Sequence, residues 1–405
     1  MLCAQYICTL LFMNFLRYLP IAGLVILSCN STGNKQNPEK SETKIDKDSF
    51  NRRLESSIPK LEKDSQLTAF SRFIGGKSYG LSFNSNSSVS WKNYAAGNAK
   101  NWSFLDARIG KKIRTWVKDT KPEVENEPAT LFYPFAGGDF YYADLFFPNQ
   151  DTIIMIGLEP CGSIFNPDTA NRDTLNKYYS VLQHSMFFPH QLGFFRTKSM
   201  KNDFNNALLN GTIHTVLFYL AEAGYDIHYI EYYNLDKDGN PIQITPAAKV
   251  GNRKFKSYRV GYSRGGKGQI REVMYFSQDA SDGALNAQKG MMAFMNKRNQ
   301  VVTFYKAASY LMHYDRFSVI RNYVLKHATR ILQDDSGIPY KYLISGGFDV
   351  KLYGKFTATL NMFKEEFQPD LKEAYEKSTP DSLPFLIGYM APKKECNLQL
   401  AVRKK

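Results

Sequence analysis

The chain has 405 residues, 43% of them hydrophobic and 14% aromatic, which is the composition of a globular protein that buries one large core or two modest ones. Its 52 Lys and Arg against 38 Asp and Glu give a formal net charge of +14, which favours association with anionic surfaces. No long basic block is present, and the densest basic cluster, residues 253–259, alternates with aromatic residues at strand spacing. The charge pattern therefore does not indicate a nucleic-acid partner.

An apolar segment near the N-terminus follows Arg17 and ends at Cys29. It is too short to span a bilayer, and Pro20 and Gly23 disfavour a stable transmembrane helix. The segment resembles the bacterial lipoprotein signal peptide, in which a short motif equivalent to residues 26–28 precedes a cysteine that is acylated on sulfur. The alternative is an uncleaved membrane anchor, which would place the charge of Arg17 within the bilayer.

This resemblance implies that residues 1–28 are removed and that Cys29, carrying acyl chains such as palmitate, becomes the N-terminus. Because residues 1–12 carry no positive charge, Met13 is an alternative start of the signal peptide. Residues 29–57 are polar and nearly free of large apolar side chains, which predicts a disordered tether. The protein is then expected at a bacterial cell envelope, anchored to the inner or outer membrane and facing the periplasm or the cell surface.

Residues 58–405 contain no linker and are predicted to form one domain. Strands alternate with helices, and strands pair as hairpins in the middle of the chain. We therefore expect a mixed α/β (α+β) fold, in which a mixed sheet with a hairpin-rich antiparallel middle is flanked by helices. Apolar residues at helical spacing after Ser103 predict the first helix, which would end near Lys118.

The segment at residues 131–163 predicts a strand, a glycine turn, a short aromatic helix, a second strand and a second glycine turn. Asp139 stands where an N-cap carboxylate would accept the free N–H groups of the short helix. Glu159 follows the second strand. Two buried strands would thus bring Asp139 and Glu159 to one edge of a sheet, where open α/β sheets usually bind ligands.

Helices and a hairpin are predicted next along the chain. A helix is expected at residues 168–184, followed by a break at Pro189. Residues 203–223 carry an apolar stripe that predicts a second helix, with Gly224 directly after its end. An Asp-Gly turn between two apolar runs then predicts a β-hairpin at residues 227–244.

The C-terminal third of the chain continues the mixed pattern. Strands at residues 255–262 and 269–277 flank a glycine turn, and a short strand is expected at residues 301–305. Helices are expected at residues 305–313 and 317–331. The remaining predicted elements are a strand, a helix and two closing strands, at residues 348–353, 359–377, 384–390 and 397–402.

The string LQDDSGIPY, residues 332–340, is predicted to lie at the end of a helix and before a strand. Adjacent carboxylates at a helix C-terminus oppose the helix macrodipole, so Asp334 and Asp335 need a compensating cation, hydrogen bonds or a function. That cost makes the pair a candidate site. The alternative is an Asx-turn organised by Asp335 and Gly337.

The candidate acid-base groups are therefore Asp139, Glu159, Asp334 and Asp335, and paired carboxylates are what glycan hydrolysis requires. The sequence has no histidine pair at metal spacing, no nucleophile elbow and no dinucleotide fingerprint, so it predicts neither a metal nor another cofactor. Removal of the signal peptide and acylation would leave two cysteines, Cys161 and Cys396. An exported compartment would permit a disulfide between them, and the sequence leaves open whether they meet.

We interpret the chain as a lipid-anchored envelope protein that binds an envelope glycan or another anionic ligand. Two alternatives stay open, a carboxylate-dependent hydrolase that acts on a glycan and a structural or protein-binding lipoprotein. The strings YPFAGGDF and LQDDSGIPY are similar to uncharacterised bacterial exported proteins that carry a YPF-small-Gly-x-Asp-Phe segment. That similarity implies no activity.

Overall fold

The computed structural model describes residues 63–78, 83–120, 130–193, 203–204, 208–244, 255–265 and 268–404. These residues belong to one compact unit, Lys60–Lys405. The predicted signal peptide, the lipidation site Cys29 and the predicted tether lie outside the described residues. Among the helices that are described, none is both long enough and apolar enough to cross a membrane.

Ten strands of the described residues form one mixed sheet, and the predicted mixed α/β fold is confirmed. The strands are β1 (Thr130–Tyr133), β2 (Thr152–Gly157), β3 (Tyr225–Leu235), β4 (Pro241–Gln243), β5 (Ser257–Arg264), β6 (Arg271–Ser277), β7 (Val301–Tyr305), β8 (Ala328–Gln333), β9 (Phe348–Gly354) and β10 (Asn397–Arg403). Their order across the sheet is β4-β3-β5-β6-β2-β1-β7-β8-β10-β9. The predicted hairpins, β3 with β4 and β5 with β6, are both antiparallel pairs.

Helices of the described residues pack on this sheet. They are α1 (Ser65–Ile74), α2 (Val89–Leu105), α3 (Lys111–Thr120), α4 (Phe140–Phe146), α5 (Arg172–Leu192), α6 (Ile213–Glu222), α7 (Asp282–Ala287), α8 (Gly290–Asn296), α9 (Ser318–His327), α10 (Tyr340–Ser345) and α11 (Pro369–Lys377). One turn of π-helix, Asp106–Gly110, joins α2 to α3. The predicted first helix therefore begins earlier than Ser103, at Val89, where the Ser88 side chain accepts a hydrogen bond from the Trp91 amide.

The five central strands, β6-β2-β1-β7-β8, are all parallel. Numbered among themselves in chain order, they follow the order 3-2-1-4-5, which is the order of a nucleotide-binding doubly wound sheet. The chain leaves β1 toward β2 on one side and returns to β7 on the other. The point between β1 and β7 is therefore the topological switch point, where such sheets open a crevice at the carboxyl ends of their strands.

Both faces of the sheet are covered, because neighbouring residues of the central strands point into two different cores. Tyr133 belongs to one core with Val216 of α6. Phe132 belongs to the other core with Ile320 of α9. Helices on both faces explain why the central strands read as nearly continuous apolar runs rather than as an alternating pattern.

The structure corrects the prediction for residues 317–331. Helix α9 ends at His327, and β8 begins at the next residue, because Ile331 pairs with Thr303 of β7 on one side and with Ala401 of β10 on the other. The acidic pair Asp334 and Asp335 thus follows a strand and precedes a short helix. The predicted conflict with a helix macrodipole does not arise.

Two predicted helix boundaries were also wrong. Helix α5 continues through Pro189 to Leu192, and Gly193 caps its end with φ of 76°. Helix α6 begins only at Ile213. A Cβ on Gly211 would lie 2.2 Å from the amide nitrogen of Gly162, so the chain before α6 is pressed against the loop after β2.

Some of the remaining predicted elements are shorter or absent. The helix expected at residues 305–313 is a loop with one 3₁₀ turn, Leu311–His313, and the helix expected at residues 359–377 is divided into a 3₁₀ turn and α11. Residues 384–390 form no strand. Phe385 and Ile387 of the last stretch are nevertheless buried in the core that contains Tyr133.

Candidate ligand site at the carboxyl ends of the parallel strands

A cavity of about 550 Å³ opens at the topological switch point. The loops that follow β1, β2, β6 and β7 line it, and they contribute Asp139, Glu159, Gln278 and Lys306, respectively. This is the place where the parallel order of the sheet predicts a ligand. Asp139 and Glu159, which the sequence analysis selected, therefore line one pocket.

Asp139 is held by an ion pair. Its Oδ2 lies 2.9 Å from Nζ of Lys306 and accepts a hydrogen bond of 2.8 Å from the Tyr133 hydroxyl. Burial raises the pKa of Asp139, and the Lys306 ammonium opposes that shift. The residue stands at the N-cap position of α4 as predicted, but its side chain makes no capping hydrogen bond. Lys306 thus balances the charge of Asp139 inside the protein, whereas Oδ1 of Asp139 has no hydrogen-bond partner in the described structure.

Lys306 was missed by the sequence analysis. Its side chain is completely buried, its Nζ also donates to the Gly193 carbonyl, and it lies 4.0 Å from the centre of the Tyr142 ring. The single available signal was a lysine placed directly after the buried strand β7. A charge in that position needs a buried partner, and the sequence does not show which carboxylate supplies it.

Glu159 differs from Asp139 in forming no ion pair with the described residues, although it is equally buried, with 3% of its surface exposed. Its Oε1 has no hydrogen-bond partner in the described structure, and its Oε2 lies 3.4 Å from the Tyr275 hydroxyl. That hydroxyl has one proton, which it donates over 2.9 Å to the backbone carbonyl of Glu159. The carboxylate is thus nearly without donors. Leaving such a group buried is costly, and a ligand hydroxyl would satisfy it.

Two glycines bring backbone close to this carboxylate. A Cβ on Gly157 would lie 2.6 Å from Oε2 of Glu159 and 2.9 Å from Cα of Gly137. Gly137 has φ of 56°. Phe135, two residues earlier, has φ of 62°, which is unusual for a residue with a side chain. Strained backbone of this kind collects at binding sites. The turn after β1 is therefore shaped to pass directly over Glu159.

The loop after β7 is strained as well, and the acidic pair holds it in place. Ala307, Ser309 and Tyr310 have φ values of 50°, 54° and 54°. Oδ2 of Asp334 accepts a hydrogen bond of 2.8 Å from the Ala307 amide, and Oδ2 of Asp335 accepts one from the Tyr310 hydroxyl. The predicted candidate pair thus lies next to the pocket and braces one of its walls.

The remaining oxygens of the pair are also satisfied. Oδ1 of Asp334 accepts from the Ser336 amide over 3.0 Å, and Oδ1 of Asp335 accepts from the Asn397 side chain over 2.8 Å. The Asx-turn that the sequence left as an alternative is therefore present, organised by Asp334 rather than by Asp335. Burial and the neighbouring Asp334 charge raise the pKa of Asp335 to about 7.

Apolar and polar side chains line the remainder of the pocket. Leu158 is 65% exposed and lines the pocket together with Leu311. Gln278 and Asp279, directly after β6, also line the pocket. An exposed leucine beside polar edge groups is a surface on which a flat heteroaromatic ring can lie while its polar edge is hydrogen-bonded.

Neither Cys161 nor Cys396 lines the pocket. Cys161 and Cys396 are both buried and free, so the disulfide that the sequence left open is not formed. Burial raises the pKa of both thiols, that of Cys396 to about 12, which disfavours a thiolate nucleophile. Within the described ranges, no three His, Cys, Asp or Glu side chains are grouped so as to hold a metal ion.

No protein-family model matches this chain. Comparison with curated proteins and with solved structures also finds no match.

Proposed function

We propose that this chain is a membrane-anchored small-molecule-binding protein whose pocket takes a nucleoside. The observation that carries the proposal is Glu159, a buried carboxylate with an unpaired oxygen at the end of the second parallel strand. In doubly wound nucleotide-binding folds, an acidic residue at the equivalent place binds the ribose hydroxyls. Because a fold alone does not determine function, the unpaired oxygen of this side chain is the feature that supports a ligand.

The charges of the pocket favour a nucleoside without phosphate groups at the turn after β1. Asp139, Glu159 and Asp279 line the pocket, against the cations of Lys306 and Arg316. Because Lys306 is paired with Asp139, one cation remains against two carboxylates. A pyrophosphate at this turn would meet like charges, whereas a neutral or cationic nucleoside would not.

An envelope glycan is the second candidate, because it offers the same chemistry to Glu159. Sugars of either class carry vicinal hydroxyls that donate to a carboxylate. The apolar wall at Leu158 and the polar edge at Gln278 and Asp279 favour a flat base over a second sugar. Glycan hydrolysis would require a second available carboxylate, whereas Asp139 already carries an ion pair.

The proposed attachment follows from the signal-peptide resemblance. Acyl chains on Cys29 would hold the domain at a bacterial envelope, and a polar tether would let the pocket stand clear of the membrane. This part of the proposal is tested by mass spectrometry of the protein recovered from membranes. Detection of a mature N-terminus other than lipidated Cys29 would refute attachment through that cysteine.

The pocket is tested by a thermal-shift screen of the full-length protein in mild detergent. The ligands are adenosine, S-adenosylmethionine as a cationic nucleoside, NAD⁺ as a pyrophosphate and a peptidoglycan disaccharide. We expect adenosine and S-adenosylmethionine to stabilise the wild type and the control variant Glu365→Gln, but not Glu159→Gln. Glu365 is the control because its side chain is 83% exposed and does not line the pocket.

Each other result of the screen has a defined meaning. Stabilisation by the disaccharide alone would replace the nucleoside with a glycan, and release of product from it would support the hydrolase alternative. Stabilisation by none of the four ligands would remove the small-molecule proposal and favour a structural or protein-binding role.

A further inference from the structure

A second cavity, of about 480 Å³, lies beside the proposed nucleoside pocket and shares Gln278 with it. The β3–β4 turn, the start of β5, the end of β6 and the segment between α7 and α8 form its walls. Lys237, Lys256 and Lys289 line it, and we call it the lysine cleft.

The charge of the lysine cleft is not cancelled by its own residues. Lys237 and Lys289 form no hydrogen bond or ion pair through their side chains in the described structure, and Lys256 donates to the neutral side chain of Gln288 over 3.2 Å. Asp236 is the one carboxylate among the lining residues. Its Oδ1 already accepts hydrogen bonds from the amides of Asp238 and Asn240, at 2.9 and 2.7 Å.

A buried hydroxyl adds a directional donor to these charges. Ser257 lines the lysine cleft and is 2% exposed, and its side chain has no hydrogen-bond partner within the described part of the chain. Three ammonium groups and a hydroxyl around a concave surface suit a phosphate group, whose oxygens accept from all of them. The carboxylates Asp139 and Glu159 do not line this cleft.

We propose that the lysine cleft is a phosphate-binding subsite, separated from the carboxylates of the nucleoside pocket by Gln278. The pairing of phosphate with nucleoside rests on the proposed function, whereas phosphate binding itself does not. The phosphate belongs either to the same ligand as the nucleoside or to a second, phosphorylated molecule bound beside it. Both sources use the same lysines.

The test is isothermal titration of the full-length protein with tripolyphosphate, with adenosine and with ATP. We expect Lys237→Gln/Lys289→Gln to weaken tripolyphosphate binding by at least about tenfold, since two charge-assisted contacts are lost, and to leave adenosine binding unchanged. The matched control is Lys364→Gln/Lys393→Gln, which removes the same charge from residues that do not line the cleft. It should keep tripolyphosphate affinity within about twofold of the wild type.

Further arms identify the source of the phosphate and separate the two proposals. ATP that displaces both adenosine and tripolyphosphate would indicate one ligand across both cavities, and displacement of one alone would indicate two ligands. Tripolyphosphate binding without adenosine binding would overturn the nucleoside pocket and support the cleft. If the cleft variant and its matched control weakened tripolyphosphate binding equally, or if the wild type did not bind tripolyphosphate, the proposed phosphate subsite would be overturned.

Discussion

The loops after β2 and after β8 each carry buried carboxylates to the same edge of the sheet, but the two loops treat them differently. After β8, every carboxylate oxygen of Asp334 and Asp335 has a hydrogen-bond donor. After β2, Oε1 of Glu159 has none in the described structure. In the sequence, both loops have acidic residues close to a glycine. The carboxylates of the two loops differ in their hydrogen-bond donors, most of which lie in distant segments for Asp334 and Asp335. The satisfied carboxylates hold their loop in place, whereas Glu159 is the carboxylate for which we propose a ligand partner.

The largest loss of unfolding free energy is expected when the ion pair between Asp139 and Lys306 is broken. Glu159 has no such pair among the described residues. Lys306→Met leaves a buried carboxylate without its cation, and Asp139→Asn leaves a buried ammonium, so each variant should lose ~3–5 kcal/mol of unfolding free energy. The double variant should lose less than the sum of the two. Urea unfolding of the three proteins measures this, and additive losses would show that the pair does not interact.

A smaller loss is expected when the brace after β8 is removed. Asp334→Ala leaves the amides of Ala307 and Ser336 without acceptors, which should cost about 2–3 kcal/mol and speed hydrogen exchange at Ala307. Asp349→Ala is the control, because the Asp349 side chain is 76% exposed. Unchanged exchange at Ala307 would mean that the loop holds its strained conformation without Asp334.

The raised pKa of Asp335 gives stability a defined pH dependence. Because its folded pKa of about 7 exceeds the ordinary value of 3.8, the folded protein keeps a proton that the unfolded chain releases. The contribution is present below about pH 4 and is lost as pH rises through about 7. Asp335→Asn removes this titration, so its unfolding free energy relative to the wild type should rise by about 1–3 kcal/mol between pH 5 and pH 8. Parallel pH curves for the two proteins would contradict the assignment.

The smallest effect on stability is expected at Glu159 itself. Glu159→Gln removes a buried charge that has almost no donors, so the unfolding free energy should change by less than about 1 kcal/mol or increase. Asp139→Asn, measured under the same conditions, should lose much more unfolding free energy. A loss of ~3 kcal/mol or more in Glu159→Gln would show that the carboxylate is a structural group like Asp334.

Features of the fold that depend on neighbouring residues were predictable from the sequence. The strand, turn, helix and strand at residues 131–163 and the two hairpins are set by local patterns, and Gly224 has the left-handed φ of 84° expected after a helix. The switch from α9 to β8 at Ala328 has no glycine or proline to mark it. Ile331 is drawn into the sheet by β7 and β10, which lie far from it in the sequence.

The same division applies to the candidate site. The positions of Asp139 and Glu159 at one sheet edge followed from two adjacent strands. Their different contacts did not, because they depend on Lys306 at the end of β7, which pairs with Asp139, whereas no cation of the described residues forms an ion pair with Glu159. Long-range pairing of this kind is decided by topology, which a single sequence pattern does not contain.

A thermodynamic cycle between Glu159 and the ligand hydroxyls tests whether this carboxylate binds the sugar. Adenosine and 2′,3′-dideoxyadenosine are titrated into the wild type and into Glu159→Gln by calorimetry. We expect 2′,3′-dideoxyadenosine to bind the wild type about tenfold or more weakly than adenosine does. The difference in affinity between the two ligands should be much smaller for Glu159→Gln. An equal loss of affinity in both proteins, or equal affinity of the wild type for the two ligands, would contradict the claim that Glu159 binds the sugar.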